Sequence, residues 1–386
     1  MCLTLLKSIS LLRIDIETMR IRFHFWGLII SCSVFISCST EDNNVTSVES
    51  DENKVYDITN NSETLSLSVA TALVGSEENE EFLFADVTDI AVGEGYFLVL
   101  DRGFRQLRFY SNSESTQTEL MSSFEYPNGS GPGEFTDVYS ISLERRTKNV
   151  ILSFPYGVAI LDSTFREIMR FPVSSEYVKV HSISEGELLI AKSPRLTPDR
   201  CCLLEIYDYD IVNREAAMRI QFGNKPDTYD WTIQNRISDA NNVYATVNDR
   251  VAYMAHSYPY EIQSFSIDSG EALVQVTSSS QYYEELFEDV VSDVPISRIR
   301  NIIGGIEYSE STGLLVFESS LNSSEGIPFD SYIRAYSDEL VPTKATKLIG
   351  ENDAVFTRLN RMRVFGGMVL LSVIEPYPGV YQLEYD

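Results

Sequence analysis

The sequence contains few residues of the kinds that bind metals or carry positive charge. Only 3 His and 5 Cys occur among 386 residues, none in a CxxC or HxxxH spacing, which excludes an ordinary structural zinc site. The 30 Lys and Arg residues are outnumbered by 57 Asp and Glu residues, for a formal net charge of −27. Because such an acidic surface repels phosphate groups, general nucleic-acid binding is excluded as well.

Motifs of common catalytic and membrane classes are also missing. No Ser lies in a GxSxG elbow, and no glycine-rich phosphate-binding loop occurs. The apolar run 23–37 has 15 residues, whereas a transmembrane helix needs about 20. A membrane anchor at this run is therefore the weaker alternative, and an export signal is the better one.

The amino-terminal segment has the pattern of such a signal. Arg20 and Arg22 precede the apolar run, and a polar stretch follows directly after Cys38. The pattern resembles a bacterial lipoprotein signal, in which the Cys becomes the lipidated first residue. Cys32 is the alternative position, but an apolar run would follow it. We therefore predict that residues 1–37 are a signal peptide, with 1–18 an over-long start before Met19.

Residues 38–63 are predicted to form a lipidated polar tether. Asn, Ser, Glu and Asp dominate this stretch, so it cannot bury enough apolar surface to fold by itself. The acidic pair after Cys38 resembles the export tag of surface lipoproteins in Bacteroidetes-like bacteria. We accordingly expect an outer-membrane lipoprotein, surface-exposed or periplasmic, that reaches the membrane only through its lipid anchor.

From residue 64 onward, one sequence unit recurs six times. Each copy has an alternating run, a strongly apolar run and an alternating run with an aromatic residue, separated by polar turns. The apolar runs are 96–100, 150–154, 188–191, 251–255, 314–318 and 368–373. Because radial repeats are typical of β-propellers, we expect an all-β, six-bladed propeller over residues 64–386, with two β-sandwiches as the rival architecture.

One alternating run belongs to none of the six copies. Residues 64–73 alternate cleanly and precede the first copy, while the sixth copy lacks a fourth run. This segment is predicted to pair with the last blade near 380–385. Such pairing would close the ring and leave no open sheet edge between the first and last blades.

Two passages resemble a known propeller family. Gly129-Ser130-Gly131-Pro132-Gly133-Glu134-Phe135 is similar to the loop that joins blades in NHL-type propellers, and the run 101–110 is similar to that family's strand ending in an aromatic residue. The match covers residues 85–165, and beyond it only the strand rhythm continues. Overall the chain resembles six-bladed propeller lipoproteins of Bacteroidetes-like bacteria. The glycines permit positive φ, and Phe135 is placed to fill the seam between two blades.

Basic residues on the later blades are the candidate ligand-binding groups. Arg300, Arg358 and Arg361 lie near or on predicted inner strands, where they could form a positive funnel that prefers anions. The alternative is that they pair with acidic residues of neighbouring blades. Lys179 and His181 on the third blade complete the candidate set.

No cofactor and no catalytic residue are predicted. Oxygen-bearing side chains near the inner-strand starts could hold an axial calcium ion, but calcium needs six to eight converging oxygens, which a sequence cannot show. These side chains are Asp86, Asp89, Asp137, Asn301 and Asn360.

The function expected from these observations is non-enzymatic binding. The ligand would be a protein, a peptide or an anionic glycan, and the chain would be monomeric. The alternatives are a propeller hydrolase or lyase that uses an axial pocket, and a structural subunit of an outer-membrane uptake assembly. The side chains that line the axis distinguish these functions, because fold alone does not imply an activity.

Overall fold

The computed structural model describes residues 54–55, 65–74, 83–111, 118–194, 201–225, 243–256, 260–277, 302–320, 330–350, 358–365, 368–375 and 378–384. The chain divides into Met1–Asp51 and Glu52–Asp386, and every described residue belongs to the second unit. These residues form 25 strands and no α-helix, as the alternating pattern predicts. Accordingly, none of the described residues belongs to a helix able to cross a bilayer.

Two strands, β1 (Lys54–Val55) and β2 (Leu65–Val74), precede blade one. Each of the first three blades is a sheet of four antiparallel strands. Blade one contains β3 (Val87–Gly93), β4 (Tyr96–Asp101), β5 (Gln106–Ser111) and β6 (Leu120–Glu125). Blade two contains β7 (Ser140–Leu143), β8 (Val150–Phe154), β9 (Gly157–Leu161) and β10 (Glu167–Pro172). Blade three contains β11 (Val178–Ser184), β12 (Glu187–Lys192), β13 (Cys201–Asp210) and β14 (Glu215–Asn224).

The second half of the chain forms three further sheets. Blade four contains β15 (Val243–Asn248), β16 (Val251–His256), β17 (Glu261–Ser266) and β18 (Ala272–Thr277). Blade five contains β19 (Ile302–Ser309), β20 (Gly313–Ser320), β21 (Asp330–Tyr336) and β22 (Pro342–Gly350). Blade six contains β23 (Arg358–Phe365), β24 (Met368–Glu375) and β25 (Gly379–Glu384).

The inner strands stand in a closed ring around one axis. Contacts run from β3 to β7 and on through β11, β15, β19 and β23, and β23 in turn contacts β3. Six apolar clusters fill the spaces between consecutive blades. The second strand of a blade is buried on both faces, which explains its continuous apolar run. The predicted six-bladed propeller is confirmed, and the two-sandwich alternative is excluded.

Strand β2 closes the ring by pairing with two blades. Its second half runs antiparallel to β25, with Ala72 opposite Tyr381 and Val74 opposite Val380. It thus supplies the fourth strand of blade six, as predicted from its alternation. Its first half, from Leu65 to Ala70, runs parallel to β22 of blade five, which the sequence did not indicate.

The short strand β1 lies within the stretch predicted to be a polar tether. Lys54 and Val55 pair in parallel with Val276 and Thr277 on the outer strand of blade four. At these two residues the chain therefore adds to a sheet edge instead of running free as a linker.

The glycine-rich loop packs as its composition predicts. Gly133 has a φ of 74°, and its N–H donates to Glu167 at 2.8 Å. Phe135 is fully buried in the apolar cluster shared by blades one and two. The Arg170 guanidinium lies 5.0 Å from the centre of the Phe135 ring and donates to the carbonyl of Glu134 at 3.1 Å. Phe135 thus fills the seam between blades, and this expectation is confirmed.

Two adjacent cysteines open β13. The sequence is compatible with both a reduced and an oxidised pair, and in the structure Cys201 and Cys202 are joined by a disulfide. Cys201 is exposed, whereas Cys202 is buried and has a φ of 113°. The pair thus lies at the exposed start of a strand that is buried from Cys202 to Tyr207.

Candidate ligand-binding cavity on the axis

A cavity of about 1090 Å³ lies on the propeller axis where the inner strands end. All six blades contribute to its wall, in blade order through Val92, Ser142, His181, Thr246, Glu307 and Arg363. The turns that follow the inner strands surround its mouth. The inner strands end at this cavity. Arg358 is the first residue of the inner strand β23, so it lies toward the other end of the axis.

Asp89 is the central anion of the region beneath the cavity. Its Oδ2 accepts from the Ser140 hydroxyl at 2.8 Å and from the N–H of Ile141 at 3.0 Å, both on blade two. Its Oδ1 lies 3.0 Å from Nε of Arg361 and 3.7 Å from Nη2 of Arg363, both on blade six. One buried carboxylate therefore links blades one, two and six.

Arg363 extends this charged set to blade five. Its Nη1 donates to Oε2 of Glu307 at 3.0 Å, and its Nε donates to the carbonyl of Ile90 at 3.0 Å. Burial raises the pKa of Glu307 above its ordinary value, although Arg363 and Arg361 act in the opposite direction. Because Arg363 lies beside both Glu307 and Asp89, its charge is compensated from two blades.

Arg361 is buried and holds His181 in one tautomer. Nη2 of Arg361 lies 3.3 Å from Nε2 of His181. A guanidinium has only donors, so Nε2 must accept, and the imidazole proton resides on Nδ1. Burial lowers the pKa of His181 well below 6.5, and the charges of Arg361, Arg363 and Lys179 add to this effect. The imidazole is therefore neutral at pH 7.

Burial also affects the pKa of the Arg361 guanidinium, which lies beside the His181 imidazole. It lowers the pKa of Arg361 below its ordinary value, and the like charge of Arg363 acts in the same direction. Asp89 and Glu307 oppose the change. An arginine remains protonated under these conditions, so Arg361 keeps its charge and its role as donor.

The candidate ligand-binding residues named from the sequence do not all lie at the cavity. His181 lines the cavity, while Arg361 lies buried below it, only 4% exposed. The Lys179 ammonium lies 4.3 Å from the centre of the Tyr244 ring, on the inner strands of blades three and four. Arg358 begins β23, but its side chain is outside the described part, as are Arg300 and Cys38 altogether.

The expected ring of guanidinium groups without acidic partners is wrong for Arg361. This side chain is paired with Asp89, which is the alternative that the sequence left open. Arg361 and Arg363 lie two residues apart on β23, and both approach Asp89. Sequence reasoning noted Asp89 only as an oxygen ligand and missed Glu307. Their convergence has no sequence signal, because the two carboxylates come from blades one and five.

The carboxylates of the described residues do not form a metal cluster. Among them, no group of three or more His, Cys, Asp or Glu side chains is arranged to hold an ion. Of the predicted calcium ligands, Asp89 is occupied by the donors given above, and Asp137 lies 3.1 Å from Nε of Arg102. The polar and charged groups on the cavity wall can form hydrogen bonds and attract charged ligands.

No protein-family model and no curated protein sequence matches this chain. Solved structures with similar shape include the hydrazine synthase of Kuenenia stuttgartiensis, at 10% identity and a TM-score of 0.47, covering 77% of each chain. The calcium-binding protein regucalcin from Agrobacterium tumefaciens has 10% identity and a TM-score of 0.47, covering 84% of this chain and 97% of that one.

A third similar structure is the Cps50 (Swd1) β-propeller domain from Myceliophteria thermophila. It has 9% identity and a TM-score of 0.39, and covers 62% of this chain and 81% of that one. At such identities and scores, these three proteins indicate nothing about the activity of this chain. The propeller assignment rests on the sheet order and on the ring of inner strands.

Proposed function

We propose that this chain is a cell-envelope lipoprotein whose propeller is a non-enzymatic binding module, with its ligand held in the axial cavity. The cavity carries this proposal. It is large enough for a ligand of several residues, and its wall is drawn from all six blades. A wall fixed by six packed sheets is preorganised, so little free energy is spent on ordering it when a ligand binds.

The buried charged groups beneath the cavity are engaged with one another, which supports a structural role for these groups and a binding role for the cavity. A general base or a nucleophile needs an oxygen or nitrogen that is free to reach the substrate. Here Asp89 is held by Arg361 and by two donors of blade two, while Glu307 is held by Arg363. Nε2 of His181 is occupied by Arg361. These contacts stiffen the base of the cavity.

The proposed location rests on the amino-terminal sequence. Two arginines, an apolar run and the change to polar residues after Cys38 support the proposal that this residue is lipidated. Mass spectrometry of the mature amino terminus tests it, with Cys38→Ala as the control that abolishes lipid attachment. A mature chain that still begins at Met1 or Met19 contradicts the proposal.

Blocking the cavity tests the binding role. Asn248 ends β15 and lines the cavity, so Asn248→Trp fills part of it. Met218 on the outer strand β14 is exposed, so Met218→Trp is a control of equal size outside the cavity. We expect the full chain, made unlipidated by Cys38→Ala, to capture ligands from peptide and oligosaccharide arrays, and only Asn248→Trp to abolish capture. Equal capture by both variants contradicts a ligand site in the cavity, and chemically altered ligand contradicts a non-enzymatic role.

A further inference from the structure

The charged residues on the cavity wall are mostly acidic. Three basic residues line it, namely Arg145, Arg146 and Arg363. Six acidic residues line it, namely Glu144, Glu185, Asp210, Asp249, Glu307 and Glu310. The wall therefore has an excess of negative charge, and the expected positive funnel is absent from this end of the axis.

Ion pairs within the wall leave most of this negative charge uncompensated. Arg146 lies 3.1 Å from Glu185, and Arg363 lies 3.0 Å from Glu307, which accounts for two of the three cations. The remaining acidic residues make no salt bridge to Lys or Arg within the described part of the chain. They are Glu144, Asp210, Asp249 and Glu310, and Arg145 alone remains to oppose them.

Neutral donors hold two of these four carboxylates. Glu144 accepts from the Tyr209 hydroxyl and from Nδ2 of Asn149. Asp210 accepts from the N–H of Val212 at 2.8 Å within its own turn. Hydrogen bonds of this kind orient a carboxylate without removing its charge. The four charges lie on blades two, three, four and five, so they surround a large part of the mouth.

A second, independent observation is the free edge of His181. The residue is 5% exposed and forms part of the cavity wall. Its proton is on Nδ1, because Nε2 accepts from Arg361. No described residue accepts from this Nδ1–H. Nδ1 is not one of the buried polar atoms that lack a partner, so it faces the open cavity, where an acceptor oxygen of a ligand can receive its proton.

We propose that the axial cavity binds a basic peptide, with Lys or Arg side chains at the acidic mouth and a main-chain carbonyl accepting from Nδ1 of His181. Charges spread over four blades favour several spaced cations over a single amine, and a peptide supplies spaced cations together with acceptor carbonyls. This inference rests on the proposed binding role and specifies its ligand class.

Three tripeptides of equal length test the sign of the charge. Trilysine, triserine and triglutamate are titrated calorimetrically into the full chain carrying Cys38→Ala, and deacetylated chitotriose provides a cationic glycan. We expect binding of trilysine alone, weakening as salt is raised, because Asp210, Asp249 and Glu310 at the mouth are solvent-exposed, although Glu144 is buried. Preference for triglutamate, triserine or the glycan overturns the peptide proposal. If Asn248→Trp abolishes that binding, the proposed binding role itself still stands.

Matched charge removals separate the cavity from the acidic surface in general. Asp249→Asn with Glu310→Gln removes two charges at the mouth, whereas Glu119→Gln with Glu215→Gln removes two exposed charges outside the cavity wall. We expect the mouth variant to bind trilysine about tenfold more weakly and the outer variant to change affinity by less than about twofold. Equal weakening by both variants overturns the proposal, because it shows non-specific attraction.

Two substitutions test the role of His181. In His181→Gln, the amide oxygen can accept from Arg361 while the amide N–H donates into the cavity, so trilysine binding should persist. In His181→Leu the donor is lost, and binding should weaken. Circular dichroism and the melting temperature of each variant show whether the fold is intact. Equal affinity of the two folded variants overturns the contact with His181.

Discussion

The seam between blades one and two and the charged set on the axis both join distant parts of the chain, but by different physics. The seam is filled by Phe135 and its apolar neighbours, so its stability comes from buried area and close packing. On the axis, the charges of Asp89, Arg361 and Arg363 are buried together. Removing atoms from a packed seam lowers stability in proportion to the packing that is lost. Removing one member of a buried charge set lowers stability more sharply, because its partner stays buried without compensation.

Opening the ring should have the largest effect, because it removes strand pairing with two blades and opens the cluster between blades six and one. Deletion of residues 65–74 removes the fourth strand of blade six and the pairing with β22. Val74 also packs in the cluster between blades six and one. We expect loss of the cooperative thermal transition. Deletion of residues 41–50, equal in length and within the predicted tether, is the control, and an unchanged transition after both deletions would contradict ring closure by β2.

Removing the central anion tests the axis. Asp89→Ala leaves Arg361 and Arg363 buried beside each other, and we expect a loss of about 3–5 kcal/mol in the free energy of unfolding. Combining it with Arg361→Met removes the cation that Asp89 compensated, so the double variant should be less destabilised than the sum of the single changes. Urea denaturation of the four chains measures this coupling. Additive losses would show that the axial charges do not act as a set.

Truncating Phe135, which fills the seam between blades one and two, tests the packed region for comparison with the charged axis. Phe135→Ala should lower the free energy of unfolding by about 3 kcal/mol, because it removes a fully buried ring from the cluster. Phe135→Leu keeps most of the apolar volume and should cost about 1.5 kcal/mol or less. Urea denaturation again provides the values. If Leu were as damaging as Ala, the seam would depend on the aromatic ring and its contact with Arg170 rather than on buried volume.

Acidification should produce the smallest of these effects and should spare the seam. His181 and His256 are buried and neutral, and burial lowers the pKa of His256 to about 4. Between pH 6.5 and that value the unfolded chain binds protons that the folded chain does not, so stability falls as pH falls. At pH 5.5 this amounts to about 1 kcal/mol for His256, and His181 acts in the same direction.

One substitution at His256 and one in the seam test whether the buried histidines cause this pH dependence. Denaturation midpoints of His256→Met should fall less steeply than those of the wild type between pH 7 and pH 5. Phe135→Leu should reduce stability by the same amount at every pH in this range, since the change adds no titrating group. A wild-type slope in His256→Met would mean that other groups carry the pH dependence.

The strand rhythm and the seam could be predicted from the sequence because they depend on local patterns. The second strands read as apolar runs since each is buried on both faces, and 64–73 stood out because its alternation belonged to no copy. The glycine loop likewise specified a tight turn followed by a buried Phe135. Pairing of β2 with blade five could not be predicted, because the outer edge of β22 looks the same in sequence whether or not it is covered.

Local sequence thus determined the strands, their order around the axis and the apolar filling between blades, since alternation and turn residues act over a few positions. Only the tertiary structure decided the partners of the charged groups. Asp89, His181, Glu307 and Arg363 are far apart in the chain, and ring closure alone brings their strands to one axis. Coulomb interactions depend on that distance and on burial, neither of which a linear pattern contains. The acidic character of this cavity therefore emerged from the fold, at the end of the axis away from Arg358.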